Sequence, residues 1–387
     1  MRLTDIDRLA AEPRMIAYRA RLTEMLNRVI DEAIAIQQIP APTFHEGQRA
    51  AYIRSRFAGL DAVEVDALHN VYGCLRGVES TLPALLVAAH TDTVFEPDIP
   101  LTVHRNGSRI YGPGLGDNSL GVAALLAMVD ILRDQPLPAD VWFVANSREE
   151  GLGDLGGIRA VYGKLSAQLG AALIVEGIAF GRIYHAGIAV RRLKITCRTA
   201  GGHSWLHFGR PSAIHSLVQV AAQIAALQPP ESPRTTYNIG MIEGGRSVNS
   251  IAPEASMFLD LRSEDRAALT TIENQIAALI DAARSPDVEF AVEVVGDRPA
   301  GHIPVSHPLV QMARAVLESM GIHPLYEAGS TDANVLLASG LPTITIGITQ
   351  GGNAHREDEF IETANILDGL WQLLLLMVGA AGGLKSV

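Results

Sequence analysis

The stretch Asp140-Val-Trp-Phe-Val-Ala-Asn-Ser-Arg-Glu149-Glu150 decides the fold. Its apolar run reads as a strand buried on both faces, as in a parallel sheet covered by helices, and it ends in two adjacent carboxylates. Upstream, Ala84-Leu-Leu-Val-Ala-Ala is a second buried strand, running into His90-Thr-Asp92-Thr-Val94. A glycine-rich turn, Gly112-Pro-Gly-Leu-Gly-Asp117-Asn118, delivers another acid, and Leu173-Ile-Val-Glu176 is a third apolar strand ending in one. His355 follows late, in Gly351-Gly-Asn-Ala-His-Arg-Glu-Asp-Glu359. Open α/β sheets gather their sites beyond the carboxyl ends of their strands, so these imidazoles and carboxylates are expected to converge there. Imidazole with carboxylate oxygens suits zinc, or less often cobalt or manganese. His90, Asp117, Glu150, Glu176 and His355 make five potential ligands. Two zinc ions that share one carboxylate and each keep an open position need about that many.

Over nearly the whole chain, these motifs in this order resemble a family of co-catalytic zinc exopeptidases and amidohydrolases. That family includes peptidase T, glutamate carboxypeptidase, acetylornithine deacetylase and succinyl-diaminopimelate desuccinylase; the nearest likeness is to peptidase T-like members. The resemblance implies that His90 is a ligand whose imidazole Asp92 holds in place, that Asp117 bridges the metals, and that Glu149 is the general base. It makes Glu150, Glu176 and His355 the remaining ligands, and implies a cis peptide between Asp117 and Asn118. The chain departs from the pattern at Ser119, where many members carry a lysine. A dinucleotide-binding reading of the glycine-rich turn fails on spacing, because Asp117 occupies the slot of the third glycine.

At 387 residues the chain exceeds the size at which one core stops growing, so two domains are expected. Nearly half its residues are apolar, as in a well-packed globular protein. The net charge of -11 and the lack of a basic cluster argue against a nucleic-acid partner. Cys74 and Cys197 are far apart, without the spacing of a disulfide framework or thiolate site, and are expected in the core. The N-terminus lacks a signal-peptide profile, and the run Trp371-Gln-Leu-Leu-Leu-Leu-Met-Val reads as too short to span a bilayer. A cytoplasmic protein with no membrane partner is the expectation.

Strand and helix alternate up to about residue 187, with helices over Met15 to Ile36 and Gly121 to Leu132, predicting an α/β fold with a mostly parallel sheet covered on both faces. From 188 to 301 the pattern becomes antiparallel strands with two helices, an inserted α+β domain. Residues 302–387 return to the first layout. The catalytic domain is thus 1–187 with 302–387, and the resemblance makes 188–301 a lid and dimerisation domain. Within it, His203 matches the lid histidine that stabilises the oxyanion, in dimeric members from the neighbouring subunit. Asn249 and Arg262 match substrate contacts, and Arg suits a carboxylate because its planar fork makes two charge-assisted bonds. Gly329-Ser330-Thr331-Asp332 resembles a substrate-pocket loop, or else is a turn in which Thr331 or Asp332 caps a helix. Glu357 and Glu359 read as solvated loop acids or partners of ligands.

Together these point to a two-zinc hydrolase that cleaves terminal amide bonds of small peptides, in the manner of an aminopeptidase or tripeptidase, and works as a homodimer. Water activated between the metals attacks the carbonyl and Glu149 takes the proton. The alternatives are an N-acyl-amino-acid deacylase or carboxypeptidase on the same metals, and, in another class, a metal-dependent binding protein without catalysis.

Overall fold

A computed structural model describes residues 3–79 and 81–382. It divides into two compact units, Met1–Gly187 with Gly301–Val387, and Ile188–Ala300.

The first unit is built on a nine-stranded sheet. At its centre Ala84–His90 runs parallel to Val141–Asn146 on one side and to Leu169–Glu176 on the other, and Thr343–Gly347 continues parallel beyond Leu169–Glu176. Every residue of Ala84–His90, Val141–Asn146 and Thr343–Gly347 is buried, as expected of strands covered on both faces. The flanks are less regular. Val71–Leu75 lies antiparallel to Val141–Asn146 and carries Asp61–Val65 outside it, while Arg182–Gly187 is antiparallel to Thr343–Gly347 and parallel to Leu325–Gly329.

Helices Pro13–Gln37, Leu120–Leu132 and Ile366–Ala381 bury apolar residues in the core. Pro13 opens the first of these, where its missing N–H costs nothing. The stretch Thr363–Ala381, which contains Trp371 to Val378, is 19 residues long and apolar enough to cross a membrane, so the expectation that this run is too short does not stand. Its apolarity serves the core: 72% of that window is buried inside the protein. Leu115–Leu132 meets the same length test and is 89% buried.

Outside the main sheet, a small antiparallel ladder joins His104–Asn106, Arg109–Tyr111, Phe360–Glu362 and Gly351–Gly352 in that order. It had no clear sequence signal, since its strands have only two or three residues each.

The second unit is a four-stranded antiparallel sheet in the order Thr235–Gly244, Glu254–Ser263, Ala189–Arg198, Glu289–Arg298. Helices Ala213–Ala225 and Arg266–Ala283 share its apolar core. Asp265 caps the second helix by accepting the amide of Ala268 at 2.7 Å. Cys74 and Cys197 are both buried and unpaired.

Candidate metal centre

Parallel pairing brings the chemistry together. His90 is the last residue of its strand and stands opposite Asn146, so the Glu149–Glu150 pair begins just beyond the end of the neighbouring strand. Glu176 closes the strand on the other side. The small ladder supplies the rest: Phe360 pairs with Tyr111, so the glycine-rich turn and the His355 loop spring from neighbouring strands. This explains how two residues 238 positions apart meet.

The turn is held from several sides. Gly114 is left-handed at φ 69°, the peptide between Asp117 and Asn118 is cis, and the Asn118 side-chain amide donates to Val175 O at 2.8 Å. A Cβ on Gly177 would sit 1.9 Å from the carbonyl oxygen of Gly116, so only glycine permits this approach. Ser119 donates to Gly114 O at 2.6 Å, closing the turn with a side chain too short to reach anything farther.

Asp117 is central. Its Oδ1 lies 3.0 Å from His90 Nε2, which is also 3.6 Å from Glu176 Oε2. Its Oδ2 lies 3.2 Å from His355 Nε2, and His355 Nε2 is 3.2 Å from Glu150 Oε1. Two donor groups, His90–Asp117–Glu176 and Asp117–Glu150–His355, therefore share one carboxylate, and within each the candidate atoms lie within 4.8 Å of one another. Glu149 lies beside them, grouped with His90 and Glu150 on the same criterion. His90 Nδ1 is 3.1 Å from the carbonyl oxygen of Asp92, which only accepts, so Nδ1 carries a proton and Nε2 is the nitrogen offered.

The electrostatics ask for cations. Burial and the Asp117 charge push Glu150 up to about 7, and burial pushes Glu176 up to about 7 against the pull of His90. Burial would raise Asp117 too, but His355 and His90 bring it below the usual carboxylate range. Hydrogen bonds to Asp117 and Glu150 push His355 up to about 10. Burial opposes charge on His90, yet Glu176, Asp117 and Asp92 hold it well above the ordinary imidazole value. Carboxylates that repel one another around ring nitrogens, without a thiolate, form a donor set that fits divalent metal ions.

The structure defines the partners of several residues already singled out in the sequence. Asp92 is fully buried, and its carboxylate accepts the backbone amides of Glu149 and Glu150 and the hydroxyl of Thr43, each at 2.9 Å. Its nearest oxygen to His90 Nδ1 is 3.6 Å away, so its shortest bonds position the glutamate pair. Of its two readings Glu359 takes the second, a partner of a ligand: it is fully buried and accepts the amides of Gly114, Gly116 and Asp117 at 3.2, 2.6 and 2.9 Å. Only Glu357 is exposed. Asp332 does not cap: it is fully buried and accepts the Asn146 side-chain amide at 2.7 Å. Burial and the nearby Glu149 charge hold it well above the carboxylate range. Thr331 serves the turn, accepting the Ala333 amide at 3.2 Å and meeting Thr345 Oγ1 at 3.0 Å. Ser330 precedes it on the same loop.

His203, Asn249 and Arg262 belong to the second unit. His203 is exposed on the short strand Gly202–His203, paired with Ser250–Ile251, and Asn249 O accepts the amide of neighbouring Ser204 at 3.0 Å. His203 Nδ1 accepts the amides of Trp205 and Leu206 at 3.2 and 3.4 Å, which leaves the proton of the neutral ring on Nε2. Arg262, 44% exposed, donates to Asp260 at 2.7 Å.

Residues 86–377 match the model of peptidase family M20/M25/M40. The chain belongs to that family. It is accordingly an enzyme, a hydrolase of a metal-binding class. The succinyl-diaminopimelate desuccinylase of Corynebacterium glutamicum is 26% identical over 344 residues, covering 85% of this chain and 90% of the relative. A tripeptidase structure from Staphylococcus aureus superposes with a TM-score of 0.76 at 20% identity, covering 92% and 98% of the two chains. A dinuclear metal-binding peptidase of the same family from Bacillus subtilis gives a TM-score of 0.64 at 15% identity, covering 92% and 99%. At these identities the two structures establish the likeness of fold.

Proposed function

We propose that this family member is a two-zinc hydrolase of terminal amide bonds in small peptides. The observation that carries the reading is Asp117, with one oxygen turned to His90 and the other to His355. His90, Asp117 and Glu176 would hold one ion and Asp117, Glu150 and His355 the other. Two divalent ions, zinc or in its place cobalt or manganese, supply Lewis-acid polarisation of the carbonyl and acidify water.

Glu149, buried at the rim of both groups, takes the proton of the attacking water and returns it to the departing amine. Asp92 fixes the backbone that carries this base. His203 donates from Nε2 to the tetrahedral oxyanion, and in a homodimer formed through the second unit it does so in the partner's site. Arg262 grips the substrate carboxylate, Asn249 is a further substrate contact, and Ser330 and Thr331 are the contacts of the pocket loop. In this reading the first unit is the catalytic domain, the second is the lid, and a cytoplasmic setting suits the two free thiols.

The desuccinylase relative favours a second reading, an N-acyl-amino-acid deacylase on the same metals. Protein loaded with zinc or cobalt, offered di- and tripeptides beside acetyl- and succinyl-amino acids, separates the two. Release of an N-terminal amino acid supports the peptidase, release of acetate or succinate transfers the assignment to the deacylase, and no cleavage of any of them refutes both.

A further inference from the structure

The segment Ile39 to Arg49 contains two charged side chains that the proposed reaction does not use. Arg49, on helix Gly47–Arg56, is 2% exposed, one of the largest side chains in the interior. Its guanidinium touches no carboxylate within bonding distance among the described residues. It donates instead to two carbonyls, Ile39 O at 2.7 and 3.1 Å and Thr91 O at 2.7 Å. Thr91 stands between His90 and Asp92, and its amide and hydroxyl both reach Asn146 O, at 2.7 and 3.0 Å.

Glu46, fully buried, accepts the amides of Phe44 and Arg148 on one oxygen, at 3.0 and 3.1 Å, while the other oxygen has no partner. Arg148 immediately precedes Glu149 and sits in the left-handed region at φ 57°, where a non-glycine residue needs external support. Thr43 completes the set through its bond to Asp92. Three polar side chains of one segment, Thr43, Glu46 and Arg49, thus each grip a different point on the two loops that carry His90 and the glutamate pair.

Keeping a guanidinium in the interior is unfavourable unless surrounding groups compensate it, and burial pushes Arg49 down to about 10, with Asp92 and Glu46 the acids that act on it most. An apolar residue would fill this place without that cost, so the charge points to a task. We propose that Glu46 and Arg49 are positioning residues of the metal centre, setting the spacing between the His90 loop and the Glu149–Glu150 loop. They act through Thr91 O and the Arg148 amide, and touch neither substrate nor metal.

The inference rests on the two-metal reading, and its test is zinc affinity, which needs no substrate. Metal-free full-length protein, shown folded by circular dichroism, is titrated with zinc by calorimetry. Glu46→Leu and Arg49→Met are expected to bind about 10–100-fold more weakly, the usual effect of removing a partner behind the ligands. Arg49→Lys, which keeps the charge and one donor, is expected to recover part of the loss, and Arg54→Met, on the exposed side of the same helix, to bind as wild type. If Arg49→Met does not fold, Glu46→Leu and Arg49→Lys decide. Wild-type affinity in the folded variants overturns the proposal, as does equal weakening by Arg54→Met. Failure of the wild-type protein itself to bind zinc overturns the two-metal reading, and this proposal with it.

Discussion

Replacing Asp92 by asparagine tests how the site is built. The Asp92 carboxylate takes Glu149 N on one oxygen, and Glu150 N with the Thr43 hydroxyl on the other. An amide has one acceptor oxygen, so at least one of these donors must face an NH2 group. A buried backbone N–H left without an acceptor costs about 1–3 kcal/mol. The buried Arg49 also loses the first of the two acids acting on it, which makes the net destabilisation on the order of 2–4 kcal/mol. Because these amides hold the loop that carries Glu150, metal binding should weaken as well, by roughly 10–100-fold. That lowers the stabilisation by saturating zinc by about 1.4–2.7 kcal/mol for each ion affected. Urea unfolding of the metal-free and zinc-saturated proteins reads both quantities. An Asp92→Asn protein with the wild-type midpoint and the wild-type gain on adding zinc would show that these bonds do not organise the glutamate pair.

Glu149→Ala should keep its metal and lose turnover by ~10²–10⁴-fold, checked by elemental analysis beside steady-state kinetics; metal loss in parallel with activity would instead make Glu149 a ligand. Arg262→Ala should raise KM by about tenfold for substrates with a free carboxylate and leave their amides nearly unchanged, whereas equal losses on both would confine Arg262 to its pairing with Asp260. Mixing nearly inactive Glu149→Ala and His203→Ala proteins should restore roughly a quarter of wild-type activity once subunits exchange, since half the dimers are mixed and each holds one complete site. No recovery after demonstrated exchange would exclude a shared site.

Much of this was legible before the fold was known because the chemistry sits where periodicity is strongest. Ala84–His90 and Val141–Asn146 are unbroken apolar runs, so their ends, and the acids and histidine placed there, could be located by residue number. The cis bond at Asp117 and the convergence of His355 on Asp117 were reached through the order of motifs, and the ladder that brings the latter about has strands too short to leave a pattern. The supporting groups were hidden for a different reason. Glu46, Arg49, Asp332 and Glu359 are charged residues in the interior, and a single sequence treats such residues as surface. Glu359 could be read either as a loop acid or as a partner of a ligand, because the three amides it accepts lie 242 or more positions away. The apolar run Trp371 to Val378 is part of a longer helix, Ile366–Ala381, whose first turn carries Asp368.

The central claim is that one carboxylate serves two metal ions, and the direct test is the metal content of Asp117→Ala beside that of the wild type. Elemental analysis after dialysis against a weak chelator should find two ions per wild-type chain and none in the variant, because each site loses the ligand it shares with the other. Retention of one tightly held ion by Asp117→Ala, or a metal-free wild-type protein that still hydrolyses its substrate at full rate, would contradict the account.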